Sequence, residues 1–318
     1  MFDPRRKASD IVGVEHTAAK DGVRLYLWEK YASQPDGKPA ILFVHGSSLA
    51  GRATFDLQVP GQDGASAMNW FAARGFDVWC LDMEGYGRSD KHRDINCDVA
   101  NGADDCLAAC RYIKSLRGPG SIHVYGSSSG ALRAALFAQR HPELVWRLAL
   151  DAFVWTGVGS ATLAQRRSKV EAFIASNRRP IDRNHIRSIF LRDHDGSTDS
   201  AVIEAVADEV LAHDDTVPNG TYVDMCMNLP LVDPSQIHVP TIIMRGQWDG
   251  IATESDLLDF FTRLPNPDRQ FAVMPGIAHT SFHQRARELA YRVLHSFLTL
   301  HQVNGAAEFT PTQRARAT

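Results

Sequence analysis

The pentapeptide Gly126–Gly130, of sequence Gly-Ser-Ser-Ser-Gly, constrains the fold more than any other stretch because of what surrounds it. Residues 121–125 before it predict a short buried strand, and residues 131–138 after it predict a helix. A strand, a Gly-x-Ser-x-Gly turn and a helix in this order are typical of a nucleophile elbow. The turn is too tight for side chains at its two ends, which explains the glycines. We therefore expect Ser128 to be a nucleophile raised above a sheet.

Short apolar runs recur along the chain and alternate with segments of helical periodicity. Such runs are typical of parallel strands that are buried on both faces. They cover residues 41–44, 76–81, 122–125, 146–150, 241–244 and 270–274. The predicted helices cover 66–74, 99–116, 129–140, 161–175, 200–212, 253–263 and 279–300. This alternation predicts an α/β fold with a mostly parallel central sheet flanked by helices. A hairpin with an Asp-Gly turn, formed by 12–17 and 23–29, is predicted ahead of it.

One segment, residues 154–236, breaks the alternation because it holds no convincing buried strand. Ligands of parallel sheets bind at the carboxyl ends of the strands. We expect this segment to form an inserted helical cap over those ends. The core then comprises residues 10–153 and 237–303, and the tail 304–318 is expected to be disordered.

A serine hydroxyl needs a base, and the base needs a third group, to act as a nucleophile near neutral pH. Asp249 and His279 each follow a predicted strand by one loop that contains glycine. With Ser128 they stand in the chain order Ser, Asp, His that nucleophile-elbow folds use. Three alternatives stay open: Asp151 as the acid, His283 as the base, and Asp249 as a mere cap of the helix that follows it.

These motifs resemble those of the α/β-hydrolase superfamily over about residues 10–300. The resemblance implies an α/β-hydrolase fold in the form of a serine esterase or lipase-like member with a helical cap. The superfamily's catalytic acid corresponds to Asp249 and its base to His279.

The residues 45–48, His-Gly-Ser-Ser, resemble the superfamily's His-Gly oxyanion loop. The resemblance implies that the backbone N–H of Ser47 stabilises the oxyanion, and the residue after the nucleophile, Ser129, is expected to supply the second N–H. The segment 82–90 resembles a superfamily turn whose role is structural.

The residue type at position 128 selects the chemistry. Haloalkane dehalogenases and epoxide hydrolases of this superfamily carry a carboxylate there, because attack on an alkyl carbon must form an ester. A serine implies acyl chemistry, so we expect a carboxylic-ester hydrolase that forms an acyl-enzyme and needs no cofactor or metal. The alternatives are a C–C bond hydrolase or a cofactor-free perhydrolase on the same site, and a non-catalytic binding protein on the same fold.

The substrate is expected to be a small-molecule ester, and the pocket residues are predicted from their positions near the cap edges or the acid loop. They are Phe153, Trp155, Met225 and Trp248, whose alternative role is packing within the cap. The first half of the cap is also basic. Its cations are Arg166, Arg167, Lys169, Arg178, Arg179, Arg183, Arg187 and Arg192. They predict either a site for an anionic substrate or a solvated helix face.

Composition adds few constraints. The net charge of −3 gives no sign of a nucleic-acid partner. No apolar run reaches the roughly 18–20 residues that span a bilayer, and the first residues lack the apolar core of a signal peptide. Five scattered cysteines do not suggest a disulfide framework. A cytoplasmic protein is the resulting expectation, and no oligomeric state is predicted.

Overall fold

A central sheet organises the chain, and a computed structural model describes it over residues 10–62 and 64–300. Within these ranges the strands are β1 (Ile11–Lys20), β2 (Val23–Ala32), β3 (Ala40–Val44), β4 (Asp77–Leu81), β5 (Ile122–Ser127), β6 (Val145–Asp151), β7 (Arg178–Pro180), β8 (Thr216–Pro218), β9 (Thr241–Gly246) and β10 (Arg269–Met274). Eight of these described strands form one sheet in the order β1-β2-β4-β3-β5-β6-β9-β10. β1 pairs with β2, and β2 with β4, in antiparallel fashion, whereas the other neighbours run parallel. The predicted hairpin and mostly parallel sheet are thereby confirmed.

Strand β3 shows why the apolar runs of the sequence become central strands. Leu42 and Val44 belong to the hydrophobic cluster on one face of the sheet, and Ile41 and Phe43 belong to the cluster on the other. Successive side chains of a strand point to opposite faces. A strand that is covered on both sides is therefore apolar at every position, and all five residues of β3 are buried.

Helices cover both faces of the sheet. In the described ranges they are α1 (Gly51–Phe55), α2 (Ala67–Ala72), α3 (Val99–Arg117), α4 (Ser129–Arg140), α5 (Ala161–Arg167), α6 (Val170–Ile174), α7 (Arg183–Leu191), α8 (Ser200–Leu211), α9 (Gly220–Met227), α10 (Glu254–Arg263) and α11 (Arg287–Leu298). None of them is both long and apolar enough to cross a membrane. The N-cap of α10 is Thr253, whose side chain accepts a hydrogen bond from the N–H of Asp256. The alternative role of Asp249 as a cap of this helix is therefore wrong.

The predicted helix at 279–300 begins later than expected. Residues 281–283 form a short 3₁₀ turn, and α11 begins only at Arg287. The reason is tertiary, since side chains of this turn bond to other parts of the core: Ser281 donates to Asp151, and His283 donates to the Ala53 carbonyl. A regular helix from residue 279 would withdraw both groups from these partners.

The segment 154–236 carries α5 to α9 and lies between β6 and β9. The predicted helix at 161–175 is interrupted at Lys169, whose φ of −120° and ψ of 12° are not helical. The short antiparallel pair β7–β8 was not expected from the sequence, because three residues per strand are too few for a periodic pattern. The assignment of 154–236 as a cap stays a prediction at these boundaries, and the tail 304–318 lies outside the described residues.

Candidate active site

Ser128 stands between β5 and α4 in a strained backbone conformation. Its φ of 58° and ψ of −126° lie where residues other than glycine are uncommon. The N–H of Ser128 donates to the Asp151 carbonyl at 2.9 Å, which ties the turn to β6. A Cβ on Gly126 would lie 2.3 Å from the Gly130 carbonyl oxygen, and one on Gly130 would lie 2.2 Å from the Val44 carbonyl oxygen. The close approach of three backbone segments therefore requires both glycines.

Gly130→Ala is expected to destabilise the fold, because the new methyl group meets backbone atoms that no rotamer change can move. Overpacking of this kind costs about 1–3 kcal/mol, and occasionally more. Urea denaturation should show a lower midpoint for this variant. Gly120→Ala is the matched control, since a Cβ there meets nothing within 4 Å. Equal midpoints for wild type and Gly130→Ala would contradict the packing described here.

A continuous line of hydrogen bonds joins Ser128, His279 and Asp249. The Ser128 hydroxyl lies 2.9 Å from Nε2 of His279, and Nδ1 of His279 lies 2.9 Å from Oδ1 of Asp249. Asp249 follows β9 and His279 follows β10, and the two loops are bonded to each other through Trp248 N–H and the Ile277 carbonyl at 3.0 Å. The structure therefore brings together the three residues that the sequence singled out, from the turn after β5 and the loops after β9 and β10, at the carboxyl ends of parallel strands of one sheet.

The environment of Asp249 favours its charged form. Burial opposes the charge, but His279 beside it and the N–H of Ile251 outweigh burial and hold the pKa of the Asp249 carboxyl below its ordinary value. The Ile251 N–H donates to Oδ1 at 3.0 Å. Oδ2 of Asp249 is buried and has no hydrogen-bond partner among the described residues. An ionised Asp249 fixes the His279 tautomer in which Nδ1 carries the proton and Nε2 accepts.

The alternative acid and base have other partners. Asp151 accepts from the Tyr125 hydroxyl at 2.5 Å and from the Ser281 hydroxyl at 3.0 Å. Burial raises the pKa of Asp151 to about 7, against the hydrogen bonds that lower it. His283 lines the cavity, but its Nε2 donates to the Ala53 carbonyl at 2.9 Å, and burial lowers its pKa to about 4. In this geometry the side chains of Asp151 and His283 take no part in the chain of hydrogen bonds that reaches the Ser128 hydroxyl.

The predicted oxyanion donors also lie beside the nucleophile. A Cβ on Gly46 would be 3.2 Å from the Ser128 Cβ, so the loop after β3 passes directly over Ser128. The hydroxyl of Ser47 donates to the hydroxyl of Ser129 at 2.7 Å, which joins the loop to the first residue of α4. Within the described residues the backbone N–H groups of Ser47 and Ser129 have no backbone acceptor. Both are therefore free to bind an oxygen atom above Ser128.

Hydrogen bonds of the His45 side chain fix the conformation of the oxyanion loop. Its Nε2 accepts from the Met83 N–H at 3.0 Å, so Nδ1 carries the proton and donates to the Gly46 carbonyl at 2.7 Å. Burial, helped by the nearby Arg133 charge, lowers the pKa of His45 to about 3, which keeps the ring neutral. Arg133 donates to the His45 carbonyl at 3.0 Å. The turn at 82–90, to which Met83 belongs, thus supports the loop as its resemblance implied.

A cavity opens above Ser128 between the sheet and the segment 154–236. Its lining residues are Gly46, Ser47, Ser48, Leu49, Thr54, Phe55, Tyr125, Ser127, Ser128, Arg166, Ile189, Arg192, Tyr222, His279, Thr280, Ser281, Phe282 and His283. Arg166 and Arg192 belong to the basic stretch that the sequence analysis singled out. Tyr222 and Ile189 were missed, because nothing in the sequence separates them from ordinary helix residues.

The four predicted pocket residues do not line this cavity, and that prediction is corrected. Phe153 and Trp155 pack against Phe260 of α10, with ring centroids 4.8 and 5.9 Å apart. Met225 is fully buried, and Trp248 stacks on His194 at 3.6 Å. The end of β6 thus directs Phe153 and Trp155 towards α10, and the acid loop directs Trp248 towards His194, while Met225 is buried within the inserted segment.

One group of possible metal ligands occurs among the described residues. Ligand atoms of Asp193, Asp249 and His279 lie within 4.8 Å of one another. His279 Nδ1 is already bonded to Asp249, and Asp193 is paired with Arg192 at 2.7 Å. Asp249 and His279 thus belong to the chain of hydrogen bonds that reaches Ser128, and Asp193 belongs to an ion pair with Arg192.

Comparison with known proteins identifies the family. The family described as "Serine aminopeptidase, S33" matches residues 64–286, which is more than half of the chain. The chain belongs to this family of α/β-hydrolases. The predicted superfamily and its fold are thereby confirmed, and a hydrolase is the class of enzyme that the family supports.

Curated relatives of this hydrolase act on different bonds. A proline iminopeptidase from Neisseria meningitidis serogroup A is 29% identical over 163 residues, with 48% of this chain and 47% of the relative covered. The chain thus spans about half the length of the first curated relatives it matches. A 2-hydroxy-6-oxononadienedioate/2-hydroxy-6-oxononatrienedioate hydrolase from Burkholderia vietnamiensis is 25% identical over 264 residues, with 78% of this chain and 83% of the relative covered.

A solved structure of an epoxide hydrolase from Vigna radiata is similar to this hydrolase with a TM-score of 0.66 at 16% identity. The match covers 92% of this chain and 99% of the other. At this identity the likeness shows the fold alone. Together the comparisons support a hydrolase and leave the bond that it cleaves to be argued from the site.

Proposed function

We propose that this hydrolase cleaves a carboxylic ester, or a related acyl compound, through an acyl-enzyme on Ser128. One observation carries the proposal: the unbroken line from Ser128 through His279 to Asp249, with 2.9 Å at each step. A nucleophile, its base and an orienting carboxylate in such a line are what acyl transfer to a serine requires.

The geometry supports the following sequence of steps. Ser128 Oγ attacks the ester carbonyl carbon while His279 Nε2 takes the hydroxyl proton. The carbonyl oxygen becomes negative and is stabilised by the free N–H groups of Ser47 and Ser129. His279 then gives its proton to the departing alcohol, which leaves the acyl group on Ser128. A water molecule, deprotonated by His279, attacks the carbonyl carbon of this acyl-enzyme, and His279 returns that proton to Ser128 Oγ as the bond from the acyl carbon to Oγ breaks and the acid leaves. Asp249 stabilises the His279 ring whenever it is charged.

The segment 154–236 has the role of a cap in this proposal. It supplies Arg166, Ile189, Arg192 and Tyr222 to the cavity wall opposite Ser128. It also binds the oxyanion loop directly, because Arg179 donates to the Ser47 carbonyl at 2.8 Å. The cytoplasmic location and the independence from cofactors stay predictions.

C–C bond hydrolysis is the second candidate, and one finding favours it: the Burkholderia vietnamiensis relative, which matches over most of both chains, is named for a dienedioate hydrolase. The same Ser128, His279 and oxyanion loop would serve that reaction. Simple esters, which contain no enol or ketone next to the bond that breaks, separate the two functions. An ester hydrolase should hydrolyse them, whereas a C–C bond hydrolase should prefer a substrate with an enol or ketone at that place.

Covalent labelling tests the proposal independently of the natural substrate. A fluorophosphonate should inactivate the enzyme, and peptide mass spectrometry should locate the adduct on Ser128. The same preparation should hydrolyse a p-nitrophenyl ester faster than a prolyl anilide or a 2-hydroxy-6-oxo-dienoate. Labelling of another residue would refute the assignment of the nucleophile. A faster reaction with the dienoate would establish the second candidate, and one with the anilide would establish a peptidase.

A further inference from the structure

The cavity wall opposite Ser128 concentrates positive charge around one tyrosine. The guanidinium carbon of Arg166, on α5, lies 4.2 Å from the centroid of the Tyr222 ring, and that of Arg179, on β7, lies 3.8 Å from it. Arg192, which follows α7, also lines the cavity. Arg166 and Arg192 therefore line the cavity together with Tyr222, whereas Arg179 contacts the Tyr222 ring without being one of the lining residues.

These arginines differ in how their charge is balanced. Arg192 is paired with Asp193, Nε to Oδ1 at 2.9 Å and NH2 to Oδ2 at 2.7 Å. Arg179 has no carboxylate partner among the described residues. One of its amino groups donates to the Ser47 carbonyl and the Ser48 hydroxyl of the oxyanion loop, the other donates to the Pro218 carbonyl, and its Nε is buried without an acceptor. Arg179 thus has a positioning role.

Arg166 lines the cavity and has no oxygen acceptor for its N–H groups in the described part of the chain. It has no carboxylate partner there either: one of its amino groups contacts Met225 Sδ at 3.9 Å, and its guanidinium lies over the Tyr222 ring. Burial lowers the pKa of its guanidinium; Tyr222 acts in the opposite direction, and the charges of Arg192 and Arg179 add to the lowering. A partly buried cation without a counter-charge is costly, and this one faces the cavity that contains Ser128.

The other basic residues of the segment show that this arrangement is particular to the cavity. Arg183 pairs with Glu204 and Asp208, and Arg187 pairs with Glu204. These pairs lie on the outer surface, where the charges are solvated. Arg183 and Arg187 are therefore balanced surface cations, whereas Arg166 lines the cavity without a carboxylate partner among the described residues.

We propose that the substrate carries a carboxylate, and that Arg166, with Arg192 beside it, binds this carboxylate while Ser128 attacks the ester carbonyl. The inference rests on the proposed function and narrows it from esters in general to esters with an anionic acyl part. A guanidinium binds a carboxylate through two parallel N–H donors, which gives orientation as well as affinity. A neutral ester of the same shape would leave the Arg166 charge unbalanced.

The test uses monomethyl esters of dicarboxylic acids, from succinate to suberate, and their carboxamide analogues, which match them in shape but are neutral. The wild-type enzyme should prefer the carboxylate ester at one chain length. Arg166→Gln should lower kcat/KM for that ester by roughly tenfold to a hundredfold, mainly through KM, because a hydrogen bond to a charged group is lost. The kcat/KM for the carboxamide ester should be unaffected by Arg166→Gln. Arg166→Lys should retain part of the kcat/KM for the carboxylate ester that Arg166→Gln loses.

Arg167→Gln is the matched control, since it removes the same charge one residue away, where the side chain donates to the Cys226 carbonyl. It should leave the preference for the carboxylate ester intact. Equal losses on both esters in Arg166→Gln, or no loss on either, would overturn the proposal. If Arg166→Gln does not fold, the test uses the wild-type enzyme alone, and adipate should then inhibit hydrolysis of the carboxamide ester competitively. Absence of this inhibition would overturn the anion site.

Failure of the proposed function would look different. The wild-type enzyme would then hydrolyse neither ester, and calorimetric titration of adipate into wild type and Arg166→Gln would still show whether the anion site exists. Binding to the wild type alone supports the site, and equal or no binding overturns it.

A pH profile gives a second, independent readout. Burial opposes ionisation of Tyr222, but the charges of Arg166 and Arg179, the Ser48 hydroxyl and the charge of Arg192 lower the pKa of its phenol to about 7. Phe173 on α6, which packs against the Tyr222 ring, is uncharged. Above pH 7 the phenolate competes with a bound carboxylate for the arginines.

The ratio of KM for the carboxylate ester to KM for the carboxamide should therefore rise as the pH increases through about 7, and Tyr222→Phe should flatten this rise. Changes in the catalytic base affect both esters alike and cancel in the ratio. A ratio that does not vary with pH in the wild type would contradict the placement of the anion beside Tyr222.

Discussion

Ser128→Ala is expected to lower kcat for an ester by on the order of 10⁴-fold or more, because the residues of such a triad act as a unit. The hydroxyl is the group that bonds to the acyl carbon, so no covalent intermediate can form without it. The backbone N–H groups of Ser47 and Ser129 remain in the variant. We therefore expect a small residual rate above that in water and a KM close to that of the wild type.

The matched control is Ser115→Ala, which removes an exposed hydroxyl on α3 that bonds only locally, to the Tyr112 carbonyl. Its kinetics should equal those of the wild type. The double variant Ser128→Ala/His279→Ala should be no slower than Ser128→Ala alone, since the base has no proton to take once the hydroxyl is gone. A Ser128→Ala enzyme with an undiminished initial rate would refute the mechanism.

Asp249→Asn is expected to reduce kcat by on the order of 10⁴-fold, with the structure otherwise retained. The carboxylate accepts from Nδ1 of His279. An amide can present its N–H₂ to Nδ1 instead, which stabilises the tautomer with the proton on Nε2. His279 would then face Ser128 with a donor in place of the acceptor that the hydroxyl needs.

Asp151→Asn is the companion variant that separates the two possible acids. Burial raises the pKa of Asp151 to about 7, so the carboxyl is partly protonated near neutral pH and the amide resembles its protonated form. We expect kcat to fall less than about tenfold, since the Tyr125 and Ser281 hydroxyls lose only part of their interaction. A large fall in kcat for Asp151→Asn together with a small fall for Asp249→Asn would show that the catalytic acid is Asp151, at the end of β6, instead of Asp249, after β9. Initial rates over a range of ester concentrations are sufficient for both variants.

The parts of the fold that followed from the sequence are those with local physical causes. β3 is apolar at every position because it is covered on both faces, and this pattern is visible without knowledge of its neighbours. The turn at Gly126–Gly130 is similar, since its glycines are demanded by backbone contacts within a strand–turn–helix unit and with the adjacent β3. Where the pattern depended on distant partners it was misleading, as for the helix predicted at 279–300, whose first turns are occupied by contacts with β6 and α1.

The pocket residues show more clearly the difference between what local sequence patterns predict and what distant contacts decide. Phe153, Trp155, Met225 and Trp248 were predicted from their position near the cap edges and the acid loop, yet which way a side chain points depends on the element packed against it. The arginines of the segment could only be named as a basic stretch. That Arg166 and Arg192 line the cavity while Arg183 and Arg187 pair with α8 on the outer surface depends on how these elements pack together.

The sequence by itself was enough to predict the nucleophile. Ser128 lies in a turn whose geometry depends on five consecutive residues, and a serine at this position favours acyl transfer in the proposed function. The tertiary structure decided what a chain of 318 residues cannot show locally: that His279, 151 positions away from Ser128, lies within hydrogen-bond distance of it, and that Asp249 reaches that histidine. The same packing leaves Arg166 unbalanced in the cavity wall. Hydrogen bonds and charge balance act through space, and residues far apart along the chain meet only when the sheet has assembled.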